Sequence, residues 1–134
     1  MRDQELIALA IKARERAYVP YSRYAVGAAL LGKSGHAHVG CNVENASFSL
    51  AVCAERVAVF KALSEGEHEF EVIAIVTSDG GTPCGACRQV LAEFGMDIRV
   101  LIATPTRLIS EKSLSELLPQ AFDGLSLRKA RDLP

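Results

Sequence analysis

Two cysteine motifs, well separated along the chain, restrict its fold more than anything else in it. The first is Cys53-Ala54-Glu55-Arg56 and the second is Pro83-Cys84-Gly85-Ala86-Cys87-Arg88-Gln89. A Cys-x-x-Cys that follows a proline at the start of a helix-like run is a compact metal-binding turn, and Cys53 can supply a third thiolate. Any fold for this chain has to bring the two segments to one point. Three protein ligands leave the fourth tetrahedral position of a zinc ion open, which separates a catalytic centre from a closed structural one. Glu55, two residues past the first cysteine, is near enough to move a proton at that position.

Each of these residues also has a plainer explanation. Cys84 and Cys87 could be a redox pair or buried thiols, but a thioredoxin-like site leaves Cys53 and Glu55 without a role. Cys53 taken alone would be a core cysteine. A glutamate in the first turn of a helix is favourable beside the helix dipole whether or not it is catalytic. The combination, with complete motifs in both places, favours a metal centre. The fourth cysteine, Cys41, fits no metal spacing and reads as a small buried side chain on a strand. Two disulfides are disfavoured, because the chain shows no secretion signal: Met1-Arg2-Asp3-Gln4-Glu5 has no basic region ahead of an apolar run. A cytoplasmic protein is expected, and no apolar run approaches the roughly 20 residues needed to cross a bilayer.

A chain of 134 residues, 49% hydrophobic and 23% charged, is expected to form one globular domain over residues 1–134 and to fold without disulfides. Its formal net charge of -1 offers no electrostatic funnel for nucleic acid, so a nucleic-acid partner is not expected. Periodicity predicts a helix from Asp3 to about Ala17, with Leu6, Leu9, Ala10 and Ala13 on one stripe and Asp3 as a cap. Pro20 ends it and leaves an ordered loop through Tyr24. Ala25–Leu31 and His36–Cys41 read as a hairpin. A helix follows from Cys53 to Ser64, then a β-branched strand from Phe70 to Thr77 suited to the middle of a sheet. A turn over residues 78–82, a helix from Cys84 to Phe94 and a strand from Ile98 to Ala103 complete the strongest signals. Arg107–Ile109 is a candidate fifth strand. Ser113–Leu118 is a short helix in which Ser113 and Glu116 form a capping box. The tail from Asp123 to Pro134 shows no period. This order gives an α/β fold with helices on both faces of a sheet.

Each cysteine group opens a helix, so two helix N-termini can converge on the metal, and their free N–H groups favour thiolates. Three thiolates on a divalent ion leave the cluster at net negative charge, so a cation should lie close by. Arg56 is the stronger candidate and Arg88 the weaker; both are also ordinary helix-surface residues. His36, His38 and His68 lie near neither motif and receive no role. Asn42-Val43-Glu44-Asn45 can be a turn or a set of ligand contacts, and the residues alone leave that open.

Taken together, these stretches resemble the small homotetrameric zinc-dependent cytidine deaminases, from Tyr21 to Phe122 at least. The resemblance rests on Tyr21-Ser22-Arg23-Tyr24 with Val26-Gly27-Ala28-Ala29-Leu30, on Gly40-Cys41-Asn42-Val43-Glu44-Asn45, on both cysteine motifs, and on Leu117-Leu118-Pro119 with Phe122. A Cys-x-Glu followed by Pro-Cys-x-x-Cys is the signature of zinc deaminases. The resemblance implies a three-layer α/β/α sandwich on a five-stranded mixed sheet. It also implies one Zn²⁺ per chain on Cys53, Cys84 and Cys87, and Glu55 as the proton shuttle. Asn42 and Glu44 are then expected on the ribose hydroxyls. Tyr24 and Phe122 are expected around the nucleoside, with Phe122 reaching a neighbour's site, and the backbone around Ala54, Pro83 and Cys84 on the base edge. Arg56 offsets thiolate charge. The implied reaction is hydrolysis of cytidine and deoxycytidine to uracil nucleosides in pyrimidine salvage. Position 24 is commonly Phe in that pattern and is Tyr here; position 48, often Tyr, is Phe48.

Two other functions compete with this reading. Deaminases of another aminopyrimidine nucleoside, such as blasticidin S, share both metal motifs. A non-enzymatic zinc module would leave Glu55 idle and lacks a fourth ligand. The helix from Cys53 to Ser64 carries Val57, Ala58, Val59, Phe60 and Ala62 around more of its circumference than one sheet face covers, which predicts an oligomer.

Overall fold

The computed structural model describes residues 1–131. Two runs set the frame. Gly27–Gly32 (β1) is buried throughout, and so is nearly all of Phe70–Val76 (β3), so both lie inside a sheet covered on each face. The other strands are β2 (Ala37–Cys41), β4 (Arg99–Ala103) and β5 (Leu108–Ser113), in the order β2-β1-β3-β4-β5. β1 runs antiparallel to β2 and β3, β3 and β4 are parallel, and β5 is antiparallel to β4. The helices are α1 (Asp3–Arg14), α2 (Ala54–Ser64), α3 (Gly85–Ala92), α4 (Leu114–Leu117) and α5 (Gly124–Arg131).

Because side chains alternate along a strand, the sheet feeds two separate apolar clusters. On one face Ala29, Leu31, Ala74, Val76 and Leu101 meet Leu6 and Ala10 of α1. On the other, Leu30, Ile73, Ile75 and Ile102 meet Ala58 and Val59 of α2, Leu91 of α3 and Leu114 of α4. The result is the expected α/β/α sandwich with a five-stranded mixed sheet. Two glycines allow the helices to lie this close. A Cβ at Gly27 would stand 2.0 Å from the Ala10 carbonyl oxygen, and one at Gly40 would stand 2.6 Å from both Ala54 O and Ala58 N. Gly40 therefore lets β2 lie directly under the first turns of the helix that Cys53 begins.

The structure departs from the sequence expectations in several places. α1 stops at Arg14, not Ala17, and Asp3 is its first residue, not its cap. The Asp3 carboxylate instead pairs with Arg99 of β4 at 2.6 Å, and Arg99 also reaches Glu111 of β5 at 2.8 Å. β5 is longer than Arg107–Ile109, because its ladder to β4 carries an exposed, polar edge through Ser110 and Lys112. α3 ends before Phe94. The Ser113–Glu116 capping box is present, with Glu116 N–H donating to Ser113 Oγ and Ser113 N–H to Glu116 Oε1. α5 occupies part of the tail in which the sequence shows no period; residues 132–134 of that tail lie outside the described residues. Among the described residues, no helix is long and apolar enough to cross a membrane.

Candidate active site

The two cysteine motifs meet as their positions require. Cys53 is the N-cap of α2 and Cys84 the N-cap of α3, while Cys87 lies in the first turn of α3. Cys53 Sγ is 3.7 Å from Cys84 Sγ, which is 3.4 Å from Cys87 Sγ, and all three sulfurs fall within 4.8 Å of one another. Tetrahedral thiolates about 2.3 Å from a zinc ion stand about 3.8 Å apart. The cluster thus has the donors and the spacing to hold such an ion. Cys53 is held well below the ordinary thiol range, chiefly by hydrogen bonding with Cys87 and then by Arg56. The same contact, with burial, pushes Cys87 up. A metal bound at these sulfurs would take the place of the thiol protons. None of the four cysteines is in a disulfide; Cys41, expected to be buried, is only half-buried at the end of β2.

Glu55 follows in the first turn of α2 and is 4% exposed. Burial is the main reason its carboxyl is raised to about 7, reinforced by the charge on Cys53. Its Oε1 is buried and has no hydrogen-bond partner among the described residues. A buried acceptor without a partner is costly, so this one is kept for something the chain does not itself supply. One residue on, Arg56 Nη2 donates to Cys53 Sγ at 3.5 Å. Arg88 is engaged elsewhere. It donates to Pro83 O and Leu117 O at 2.7 Å each and to Thr82 Oγ1 at 3.1 Å, bracing the metal-binding turn.

Tyr24, Val26, Asn42, Cys53, Glu55, Ile75, Thr77, Gly81, Thr82 and Cys84 line one cleft of about 190 Å³. It brings together Tyr24, Asn42, Glu55 and two of the thiols. The other expected contacts lie elsewhere. Ala54 is fully buried as the first residue of α2. Glu44 turns its carboxylate to the backbone N–H groups of Tyr21 and Ser22, at 3.0 and 3.1 Å, and to the Ser22 hydroxyl. Asn42 accepts from Val26 N–H at 2.9 Å and donates to Tyr24 O at 2.8 Å. Phe122 is 62% exposed and outside its own chain's cleft, with Gln89 Nε2 donating to its carbonyl. Thr77, Gly81 and Thr82 were not expected at the site: Ser78–Thr82 reads as an ordinary turn, and only the proximity of Cys84 hinted that it borders the cleft.

Comparison with known proteins gives a consistent answer. The family model for the cytidine and deoxycytidylate deaminase zinc-binding region matches residues 1–104. A cytidine deaminase of Sporosarcina psychrophila is 46% identical over 135 residues, covering 98% of this chain and 99% of that protein. One of Halalkalibacterium halodurans is 54% identical over 125 residues, covering 91% and 95%. The crystal structure of cytidine deaminase from Burkholderia pseudomallei matches with a TM-score of 0.87 at 46% identity, over 91% of this chain and 100% of that one. The enzyme from Mycobacterium tuberculosis matches with a TM-score of 0.79 at 42% identity, over 91% and 98%.

Proposed function

The chain belongs to the cytidine and deoxycytidylate deaminase family, and from that membership we propose that it hydrolyses cytidine and deoxycytidine to uridine and deoxyuridine with release of ammonia, in pyrimidine salvage in the cytoplasm. The observation that carries the reading is Glu55: a buried carboxyl with an unpartnered oxygen, two residues past Cys53 of the three-thiol cluster, and raised by its burial to about 7. General acid/base groups work best with a pKa near the working pH.

Cys53, Cys84 and Cys87 would hold one Zn²⁺ per chain, with Arg56 balancing the charge of Cys53. Zinc in such a site supplies Lewis acidity that makes water a nucleophile near neutral pH. Glu55 takes a proton from the attacking water and delivers it to N3 of the cytosine ring, which activates C4. As the water oxygen bonds to C4, Glu55 is free again. It takes the remaining proton from the new C4 hydroxyl and passes it to the exocyclic amino group, which leaves as ammonia as the C4–N bond breaks and the C4 carbonyl forms. The buried position of Glu55 keeps bulk water from competing for these protons. Asn42, which lines the cleft, would meet the ribose directly, and Glu44, outside the cleft wall and bonded to Tyr21 and Ser22, would offer the sugar the acceptor capacity those bonds leave it. Tyr24 flanks the nucleoside and the backbone at Ala54 meets the base edge.

The working unit is proposed to be a homotetramer. Pockets for small molecules are typically about 300–1,000 Å³, so the 190 Å³ cleft of a single chain is small for a nucleoside. Phe60 of α2 is 49% exposed, and Phe48 and Phe122 are more exposed still, which leaves apolar surface for symmetry mates and an aromatic for a neighbour's site. Sedimentation alongside activity tests this: dilution to monomers should lower activity per chain, and a fully active monomer would contradict it.

The substrate is tested by one ultraviolet assay comparing cytidine, deoxycytidine, cytosine, cytidine monophosphate and blasticidin S. Cytidine and deoxycytidine should be turned over most efficiently. Free cytosine should be poor, because polar groups meant for the sugar lose their partner. Equal efficiency on free cytosine would contradict sugar recognition, and a preference for blasticidin S would overturn the assignment.

A further inference from the structure

The loop that brings Tyr24 to the cleft is held by Asn42, by Glu44, and by a third tie of a different kind. The Tyr24 hydroxyl donates to Asp79 Oδ1 at 2.6 Å, joining the loop to the turn after β3. That turn is itself fastened. Thr77 Oγ1 accepts from the N–H groups of Gly80 and Gly81 at 2.8 Å each and donates to Asp79 Oδ1 at 3.2 Å. It leads through Thr82 and Pro83 to Cys84. The position of Gly81 is specific to this arrangement. A Cβ there would stand 2.6 Å from the Tyr24 hydroxyl oxygen, and its next nearest neighbour is 3.6 Å away. Gly81 is not among the glycines with positive φ, so its backbone would accept a side chain, which would have to displace the Tyr24 hydroxyl. Arg23, directly before Tyr24, has φ 58°, uncommon for a residue with a Cβ, so the loop is held away from its relaxed form.

We propose that Asp79 is a positioning residue of the active site, holding Tyr24 against the cleft wall, and that Gly81 is the companion position that leaves the hydroxyl room. The proposal rests on the cleft being the nucleoside site. The Tyr24 hydrogen bond holds the Asp79 carboxyl below its usual range, and burial together with Asp79 raises the Tyr24 hydroxyl. Donor and acceptor therefore keep their roles at neutral pH. Losing the strut loosens one wall of the cleft and leaves Glu55 and the three thiols in place, so its effect falls on KM more than on kcat.

The test is a double-mutant cycle of Gly81→Ala and Tyr24→Phe, with Asp79→Asn alongside, on the zinc-loaded full chain. Two readouts are taken: cytidine kinetics, and the initial rate of tryptic cleavage after Arg23. Gly81→Ala should raise KM about tenfold, the scale of one charge-assisted hydrogen bond, and speed cleavage to match. In a chain that already carries Tyr24→Phe, the same substitution should change either readout by no more than about twofold, since the group it clashes with is gone. Asp79→Asn should resemble Tyr24→Phe, and the two combined should be no worse than either. Equal effects of Gly81→Ala with and without Tyr24→Phe overturn the proposal. If Gly81→Ala alone does not fold, recovery in the double variant supports the strut and no recovery overturns it. A wild type inactive on cytidine would defeat the substrate reading, and the cleavage cycle would then decide the strut by itself.

Discussion

Arg56 Nη2 lies 3.5 Å from Cys53 Sγ, so a fixed positive charge sits against the thiol that heads α2. Three thiolates on one divalent ion would carry an excess negative charge that this guanidinium is placed to offset. Groups just outside a metal's ligands typically matter about 10- to 100-fold to affinity. Arg56→Gln should weaken zinc binding by about that much, measured by competition with a chromophoric chelator. Wild-type affinity in the variant would make Arg56 an ordinary helix residue.

Arg88 spans three acceptors on two segments, Thr82 and Pro83 at the metal-binding turn and Leu117 at the end of α4. Arg88→Ala should cost about 2 kcal/mol in denaturant unfolding, as expected for charged donors to partly buried carbonyls. Arg88→Lys should recover little, because one ammonium cannot span the three. Full recovery by lysine would contradict the bracing role.

Gly27 faces the backbone of α1 with no room for a methyl group, its Cβ position 2.0 Å from Ala10 O. Gly27→Ala must push α1 off the sheet and should cost about 3 kcal/mol or more. A thermal unfolding midpoint near that of wild type would show that α1 can move without loss.

Local signals in the sequence were good guides wherever the residues that make a feature are neighbours in the chain. The Ser113–Glu116 capping box, the β-branched run of β3 and the two cysteine motifs are of this kind. Features made by distant residues were not legible. Asp3 reads as a cap from its neighbours, yet its partner Arg99 comes from β4. His38 reads as a surface or a satisfied strand residue and is the second, buried between the carboxylates of Glu65 and Glu67, partners that its own neighbours in the chain do not reveal. The Tyr24–Asp79 bond joins a loop and a turn 55 residues apart. α5 is hard to read for another reason: its two leucines, Leu125 and Leu127, stand two residues apart, not the three or four of a helical face.

The capping box also predicts a pH dependence. The Ser113 N–H, then the Ser113 side chain, hold the Glu116 carboxyl below its ordinary value of 4.5. A depressed folded pKa means the stabilisation is complete above the unfolded value and is lost as pH falls through the lower folded one. Wild type should therefore exceed Glu116→Gln in stability near neutral pH, with the gap closing as pH drops below about 4.5. Urea midpoints of both proteins across pH would show this, and metal loss in acid affects both alike. A gap that widened in acid would contradict the assignment.

Glu55 is proposed to move protons beside a three-thiol metal centre, and ammonia release from cytidine by zinc-quantified wild type and Glu55→Gln decides whether it does. Both proteins should carry one zinc per chain with free thiols on the apoprotein. Wild type should release ammonia, and the variant should be slower by about 10²–10⁴-fold or more, the usual worth of a general acid/base. Wild-type-like release by the zinc-loaded variant would contradict the account.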